Sequence, residues 1–278
     1  MKKTAKDLIT LEWFTPTKPA GPVSVVLFDF DGTISTLRCG WEAVMEPLMI
    51  ELITGGANPT AEISSLVRAY IDESTGIQTI FQMKWLVETV RKYGLNPDAS
   101  NDPWVYKAEY NRRLMVSVME RRNRLLAGNI EREAFMIRGS EACLRALAEN
   151  GVQLYVASGT DDADVKQEVE ALGLTQYFAR ITGAPAGREN CSKESVIREL
   201  IERDGVRGDH LAVVGDGKVE IAIGRENGAR TLGVASDEQT LSGVNPAKRS
   251  RMIRAGADAV IGDFTEDGLL ADFFYLRS

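Results

Sequence analysis

The sequence is poor in cysteine and histidine, the residues that most often build structural metal sites. Its 278 residues include three cysteines, Cys39, Cys143 and Cys191, and none of them belongs to a CxxC pair. A disulfide framework and a zinc site are therefore disfavoured, and the cysteine usage fits a reducing cytoplasm. The single histidine, His210, precedes an apolar segment, where we expect a structural role. A Ser-His-Asp or His-metal mechanism would depend on that one residue.

Long apolar runs and a basic excess are also missing. No run approaches the roughly 20 residues needed to cross a bilayer. Charged residues from Lys6 to Glu12 interrupt the start of the chain, where a signal peptide needs an apolar stretch. We therefore expect a cytoplasmic protein without a membrane partner. The net charge of −7 disfavours nucleic acid, and the basic clusters at 121–124 and 248–251 are predicted to be solvated helix faces. No feature indicates an oligomeric state.

Strands and helices alternate through much of the chain. Residues 23–30 (VSVVLFDF) form a β-branched apolar run typical of a strand buried on both faces. The fold class predicted from this alternation is α/β, a Rossmann-like parallel sheet with helices on both faces. Residues 1–22 are predicted to be an irregular lead-in. The other predicted strands are 152–157, 180–182, 211–214, 230–234 and 259–261, and the predicted helices of this part are 162–172, 192–203, 219–227 and 265–274.

The segment from residue 34 to residue 138 has a different pattern. Apolar residues at three- and four-residue spacing predict helices at 42–54, 61–74, 79–93 and 103–126. The segment is much longer than a strand-to-strand crossover requires. We therefore predict an inserted α-helical cap domain at 34–138, and a Rossmann-like core formed by residues 1–33 and 139–278.

Three of the predicted strands end in short polar loops, DFDGT at 29–33, SGT at 158–160 and GDGKVE at 215–220. Because ligands bind beyond the carboxyl ends of parallel strands, these loops and Lys193 are expected to share one cleft. Asp29 and Asp31 are close enough to repel each other unless a cation or a proton intervenes. With Asp216 they offer the hard oxygen ligands that Mg²⁺ prefers. A carboxylate can attack phosphorus when a metal offsets the repulsion.

Taken in this order, DFDGT, SGT, the lysine and GDGKVE resemble the four motifs of the haloacid dehalogenase superfamily. The helical insertion lies where that superfamily has its C1 cap, as in phosphoglycolate phosphatase-like enzymes. The resemblance implies Mg²⁺-dependent hydrolysis of a small phosphate monoester, such as a sugar phosphate or a phosphoglycolate-like compound, through an aspartyl-phosphate. A phosphomutase and a non-catalytic regulatory homologue remain as alternatives. Dehalogenation and phosphonate hydrolysis are disfavoured, because superfamily members with those activities lack an acid at the position of Asp31.

The resemblance also implies a role for each motif residue. Asp29 is expected to be the nucleophile and a metal ligand. Asp31 is expected to be the general acid/base, with its backbone carbonyl on the metal. Lys193 is expected to offset negative charge on the nucleophile and the phosphoryl group. The other expected roles are phosphate binding by Gly32, Thr33, Ser158 and Gly159, and metal binding by Asp216 and, directly or through water, Glu220.

Within the predicted cap, the segment STGIQT at 74–79 joins two helices with small and polar residues. Such residues could present hydroxyl and amide groups to a substrate, although an ordinary helix cap has the same composition. We expect the cap to be a mobile lid hinged near 34–38 and 128–139. The substrate-contacting candidates of the cap are Thr75, Gly76, Gln78 and Gln82, and weaker candidates for lining the cleft are Arg38, Trp41 and Arg188.

Overall fold

A seven-stranded sheet forms the centre of the computed structural model, which describes residues 11–14, 21–189, 192–202, 205–206 and 208–274. The strands lie in the order β1-β7-β6-β5-β2-β3-β4. All neighbours are parallel except β1 and β7. The predicted α/β fold class is confirmed. The strands are β1 (Glu12–Trp13), β2 (Val25–Phe28), β3 (Gln153–Asp161), β4 (Arg180–Ala184), β5 (Leu211–Gly215), β6 (Arg230–Val234) and β7 (Ala259–Ile261).

Helices cover both faces of this sheet. Because successive strand residues point to opposite faces, Val26 and Phe28 of β2 join one apolar cluster, whereas Val25 and Leu27 join another. The helices α5, α6 and α10 pack into the first cluster and α7 packs into the second. The helices of this part are α5 (Ser140–Glu149), α6 (Asp162–Ala171), α7 (Ser192–Glu202), α8 (Lys218–Glu226), α9 (Pro246–Ala255) and α10 (Asp267–Phe274).

Four helices lie between β2 and α5, and they have an apolar cluster of their own. The buried residues of this cluster run from Met45 to Val118 and all belong to these helices. The helices are α1 (Glu42–Thr54), α2 (Ala61–Glu73), α3 (Thr79–Tyr93) and α4 (Pro103–Leu126). The separate cluster supports the proposed division into a cap and a core, whose boundaries remain a prediction.

The structure departs from the sequence prediction at three elements. The lead-in contains β1, a two-residue edge strand whose partner, β7, lies far away in sequence. Helix α5 was not predicted, although its spacing of Cys143, Leu144 and Leu147 is amphipathic. Strand β3 continues through the predicted SGT loop to Asp161, with an irregular register after Ala157.

The prediction that the two basic clusters are solvated faces is wrong for several of their residues. Lys248 is buried, and Arg249 and Arg251 form ion pairs with Glu12 and Asp72. Arg121 donates hydrogen bonds from Nη1 to the backbone oxygens of residues 37 and 39. Distant partners decide these environments, so the local charge pattern could not reveal them. No helix of the described ranges has the length and apolarity needed to span a membrane.

Candidate active site

Asp29 directly follows the carboxyl end of β2, an interior strand of the sheet. The neighbouring strands β3 and β5 pair with β2 on either side, and the backbone N–H of Asp29 donates to the carbonyl of Val214 at 2.8 Å. Phe30 is fully buried, and the alternation of side chains directs Asp29 and Asp31 away from it. The strand end therefore presents both carboxylates to one cleft, whose lining includes them.

Lys193, near the start of α7, connects the first and last polar loops. Its ammonium lies 2.9 Å from Asp29 Oδ2, 2.9 Å from Glu220 Oε2 and 3.3 Å from the carbonyl oxygen of Gly76. Burial opposes the charged form of Lys193, but the two carboxylates outweigh that effect and raise its pKa. Burial raises the pKa of Asp29 well above its usual range, while Lys193 counteracts part of the effect. Lys193 thus favours the ionised form of Asp29.

Three carboxylates offer a candidate metal site. One oxygen each from Asp29, Asp216 and Glu220 lies within 4.8 Å of the others. An octahedral Mg²⁺ takes oxygen ligands at about 2.0–2.1 Å, so three carboxylate oxygens grouped in this way could surround the ion. Glu220 also accepts two hydrogen bonds. Its Oε1 accepts from the N–H of Gly217 at 2.5 Å, and its Oε2 accepts from the ammonium of Lys193. A metal bound directly to Glu220 would share a carboxylate oxygen with one of these hydrogen-bond donors.

Asp31 faces the SGT segment of β3. Its Oδ2 accepts hydrogen bonds from Thr160 Oγ1 at 2.8 Å and from Ser158 Oγ at 3.3 Å. Its Oδ1 is buried and accepts no hydrogen bond from the described residues, and Arg38 Nε lies 3.9 Å away. One oxygen of Asp31 is therefore oriented by hydroxyl groups, and the other is available for a proton or a ligand.

Two glycines of these loops permit close approach of other groups. Gly32 has φ +74°, and a Cβ there would lie 2.4 Å from Asp216 Oδ2. A Cβ at Gly159 would lie 3.0 Å from the carbonyl oxygen of Ile77. Thr33, which was predicted to bind phosphate, is fully buried and donates from Oγ1 to Asp216 Oδ1 at 3.3 Å. Its hydroxyl therefore orients an acidic residue of the site.

The segment between α2 and α3 closes one side of the cleft. Thr75, Gly76 and Gln82 line it, but Gln78 is buried at the start of α3 and is not part of the lining. Gln82 Nε2 donates to Ser74 Oγ at 3.0 Å, which fixes the segment. Other lining residues come from α3, from α4 and from the connections that precede α1 and α3: Arg38, Trp41, Ile77, Thr79, Tyr110 and Leu114.

Some candidates for the cleft lie outside it, and some residues of the cleft were not predicted from the sequence. Arg188 is exposed in a neighbouring groove beside Trp104, and Cys191 lies outside the described residues. Thr160, Glu238 and Lys248 carry contacts that sequence reasoning did not identify. The spacing of α9 could have indicated that Lys248 is buried, because Lys248 and Met252 are four residues apart and lie on the same, buried face of the helix. Thr160 directly follows the predicted phosphate-binding pair.

Comparisons with known proteins show the family of the chain and solved structures of a similar fold. The sequence model of the haloacid dehalogenase-like hydrolases matches residues 23–228, more than half of the chain. The crystal structure of a predicted phosphatase from Clostridium acetobutylicum superposes with a TM-score of 0.60, at 19% identity over 92% of this chain and 100% of that one. At that identity the likeness shows the fold alone.

Two curated proteins are related over shorter spans. The 5'-nucleotidase of Pseudomonas aeruginosa is 26% identical over 96 residues, 34% of this chain and 43% of the relative. The phosphoglycolate phosphatase of Rhodospirillum rubrum is 25% identical over 130 residues, 47% of this chain and 50% of the relative. The chain thus spans half or less of the length of the curated relatives that it matches.

Proposed function

Since this chain belongs to the haloacid dehalogenase-like hydrolases, we propose that it is a Mg²⁺-dependent phosphatase acting through an aspartyl-phosphate on Asp29. The proposal depends on one observation, the convergence of Asp29, Lys193 and Asp216 at the end of β2, with Asp31 opposite the hydroxyls of β3. The names of the two curated relatives, a nucleotidase and a phosphoglycolate phosphatase, support a phosphate monoester as the substrate.

In the first half-reaction an oxygen of Asp29 attacks phosphorus, and the bond from phosphorus to the ester oxygen breaks. Asp31 donates its proton to the departing alkoxide, so the alcohol leaves neutral. Lys193 compensates the charge on the attacking carboxylate and on the phosphoryl group. Ser158 and the N–H of Gly159 hold the phosphoryl oxygens. A Mg²⁺ held by Asp29, Asp216, the Asp31 carbonyl and Glu220 would neutralise charge on the phosphoryl group.

In the second half-reaction Asp31, now ionised, takes a proton from a water molecule. The water oxygen attacks the phosphorus of the aspartyl-phosphate, and the bond to the Asp29 oxygen breaks. Inorganic phosphate and the original carboxylate of Asp29 are regenerated. The hydroxyl of Thr160 holds one oxygen of Asp31 through both steps, so the same group can act as acid and then as base.

The substrate we propose is small, such as a sugar phosphate or a phosphoglycolate-like compound. The cleft has a cavity of about 100 Å³, with the cap segment 74–79 at its side, and we assign substrate selection to Thr75, Gly76 and Gln82. Residues 34–138 would act as the lid and the remaining residues as the core. The cysteine usage and net charge support a cytoplasmic enzyme whose partners exclude nucleic acid and membranes.

The test is release of phosphate from p-nitrophenyl phosphate and a panel of phosphorylated metabolites. We expect Mg²⁺-dependent turnover, its loss in excess EDTA, and its loss in Asp29→Asn, which preserves the shape of the site. Full activity in EDTA would contradict the metal requirement. Retention of more than a few per cent of kcat by Asp29→Asn would indicate direct attack by water.

Two alternatives give different results in the same assays. A phosphomutase would require a bisphosphorylated activator and would return the phosphoryl group to its substrate. A non-catalytic regulatory homologue would release no phosphate with any metal. The complete set of acids around Asp29 favours the phosphatase over the regulatory homologue.

A further inference from the structure

A second buried lysine lies beside the candidate metal site. Lys248 belongs to α9, is 8% exposed, and is 32 residues from Asp216 in the sequence. Its Nζ lies 2.7 Å from Asp216 Oδ2 and 2.5 Å from Glu238 Oε1. Burial opposes its charge, but the two carboxylates prevail and raise its pKa. Lys248 therefore places its ammonium against Asp216 and Glu238 at the same time.

Glu238 faces the same cleft as the predicted catalytic residues. It follows β6 and lines the cleft together with Asp29, Asp31 and Asp216. The Lys248 ammonium bridges Glu238 and Asp216, and it lies 3.1 Å from the position that a Cβ at Gly32 would occupy. The bridge thus lies beside Gly32 of the DFDGT loop. Glu238 is an acidic residue of the cleft that belongs to none of the four motifs.

The position of the ammonium has a consequence for metal binding. Hard cations recruit additional carboxylates when these are within reach, and each added carboxylate raises affinity and fills a coordination position. Lys248 occupies one oxygen of Asp216 and one of Glu238. The other oxygen of Asp216, Oδ1, accepts a hydrogen bond from Thr33 and can still bind a metal as a monodentate ligand. A cation at this point also repels a second cation.

We propose that Lys248 keeps Glu238 out of the metal's ligand set and restricts Asp216 to one ligand oxygen, so that the metal retains positions for phosphate and water. The proposal rests on the proposed function, because it assumes that Asp216 binds Mg²⁺. Lys248 is a positioning residue in this scheme, since it touches Asp216 and not the reacting atoms. Its effect is to weaken metal binding for the benefit of substrate binding.

The test is calorimetric titration of the metal-free protein with Mg²⁺. We expect Lys248→Met to bind Mg²⁺ about tenfold more tightly than the wild type, because Glu238 becomes a ligand. Adding Glu238→Gln to Lys248→Met should remove the part of this gain that comes from Glu238 and leave the part that comes from the second Asp216 oxygen. Lys248→Arg, which retains the cation, should bind like the wild type. Turnover of Lys248→Met should fall at saturating Mg²⁺.

Lys166→Met is a matched control, because Lys166 forms an ion pair of the same 2.7 Å length with Asp162 on the exposed side of α6. Melting temperatures in EDTA verify that each variant is folded. Equal Mg²⁺ affinity of Lys248→Met and the wild type, with binding still abolished by Asp216→Ala, would overturn this inference and leave the proposed function intact. Absence of Mg²⁺ binding by the wild type would overturn both. Tighter binding that is undiminished in the double variant would overturn the role given to Glu238.

Discussion

The guanidinium of Arg38 holds the carboxylate of Glu168 in a close pair, with 2.7 Å between Nη2 and Oε1 and 3.1 Å between Nε and Oε1. Both side chains are buried. The pair joins the connection that follows β2 to helix α6, and Arg38 Nε is 3.9 Å from Asp31 Oδ1. Burial raises the pKa of Glu168 to about 7, even though Arg38 opposes this shift.

This raised pKa predicts a pH-dependent contribution to stability. The folded state binds the Glu168 proton more tightly than the unfolded state, whose pKa is near 4.5. The stabilising contribution is therefore complete below that value and is lost as the pH rises through about 7. Glu168→Gln cannot titrate, so its free energy of unfolding relative to the wild type should rise with pH, by up to about 3 kcal/mol.

Urea unfolding of both proteins between about pH 5 and about pH 9 measures this difference. Glu170→Gln, an exposed change on the same helix, is the control and should show no such trend. A difference between Glu168→Gln and the wild type that stays constant across the range would contradict the raised pKa.

The second prediction concerns Asp31. Asp31→Asn keeps the hydrogen bonds from Thr160 and Ser158 possible but removes the proton that the leaving group needs. We expect turnover to fall by about 10²–10⁴-fold on alkyl phosphates. The loss should be smaller on p-nitrophenyl phosphate, whose leaving group departs as an anion. Equal losses on the two kinds of substrate, measured as kcat/KM, would count against the acid role.

The sequence was sufficient for the fold class and for the strand ends that carry Asp29, Asp31 and Asp216, because each of these depends on a local run of residues. The apolar strand predicts its burial, and the polar residues that follow it predict the edge at which a ligand binds. The bridge formed by Lys248 could not be predicted in the same way, since Asp216 and Glu238 become its neighbours only when α9 packs beside β6.

The segment at 74–79 is a second feature that the sequence predicted only in part. Its small and polar composition indicated a contact with the cleft, but composition could not distinguish the residues that line the cleft from those that do not. Gln78, directly before α3, is buried away from the cleft lining. Gln82, one turn later, lines the cleft and also holds Ser74.

The third prediction concerns Lys193. Lys193→Met leaves the buried carboxylates of Asp29 and Glu220 facing each other without a cation, which typically costs about 3–5 kcal/mol. We expect a marked loss of melting temperature in EDTA and partial recovery in Mg²⁺, because the metal can replace the missing positive charge. Turnover should fall by about 10²–10³-fold even when the metal is present. A melting temperature equal to that of the wild type in EDTA would show that the ion pairs with Asp29 and Glu220 contribute little.

The last prediction tests whether the segment between α2 and α3 must approach the core for turnover. Gly76 has φ +90°, and its carbonyl oxygen accepts a hydrogen bond from Lys193 at 3.3 Å. A Cβ at this position would lie 3.0 Å from Glu220 Oε2 and 3.3 Å from the Cα of Gly217. Gly76→Ala should therefore move the segment from the core by a few tenths of an ångström and lower kcat/KM by about tenfold, less than the roughly 10²-fold that a misplacement of about 1 Å can cost.

Gly56→Ala separates this contact from backbone strain. Gly56 has φ +85°, nearly the same as Gly76, but a Cβ there would meet nothing within 4 Å. Both substitutions should lower the free energy of unfolding by about 1–2 kcal/mol, because alanine is disfavoured at positive φ. Gly76→Ala alone should affect kcat/KM, and the loss should be greater on the preferred metabolite than on p-nitrophenyl phosphate, which needs little recognition by the cap. If the two variants retain equal activity, contact between Gly76 and the core is not required for catalysis, and the assignment of this segment to substrate selection fails.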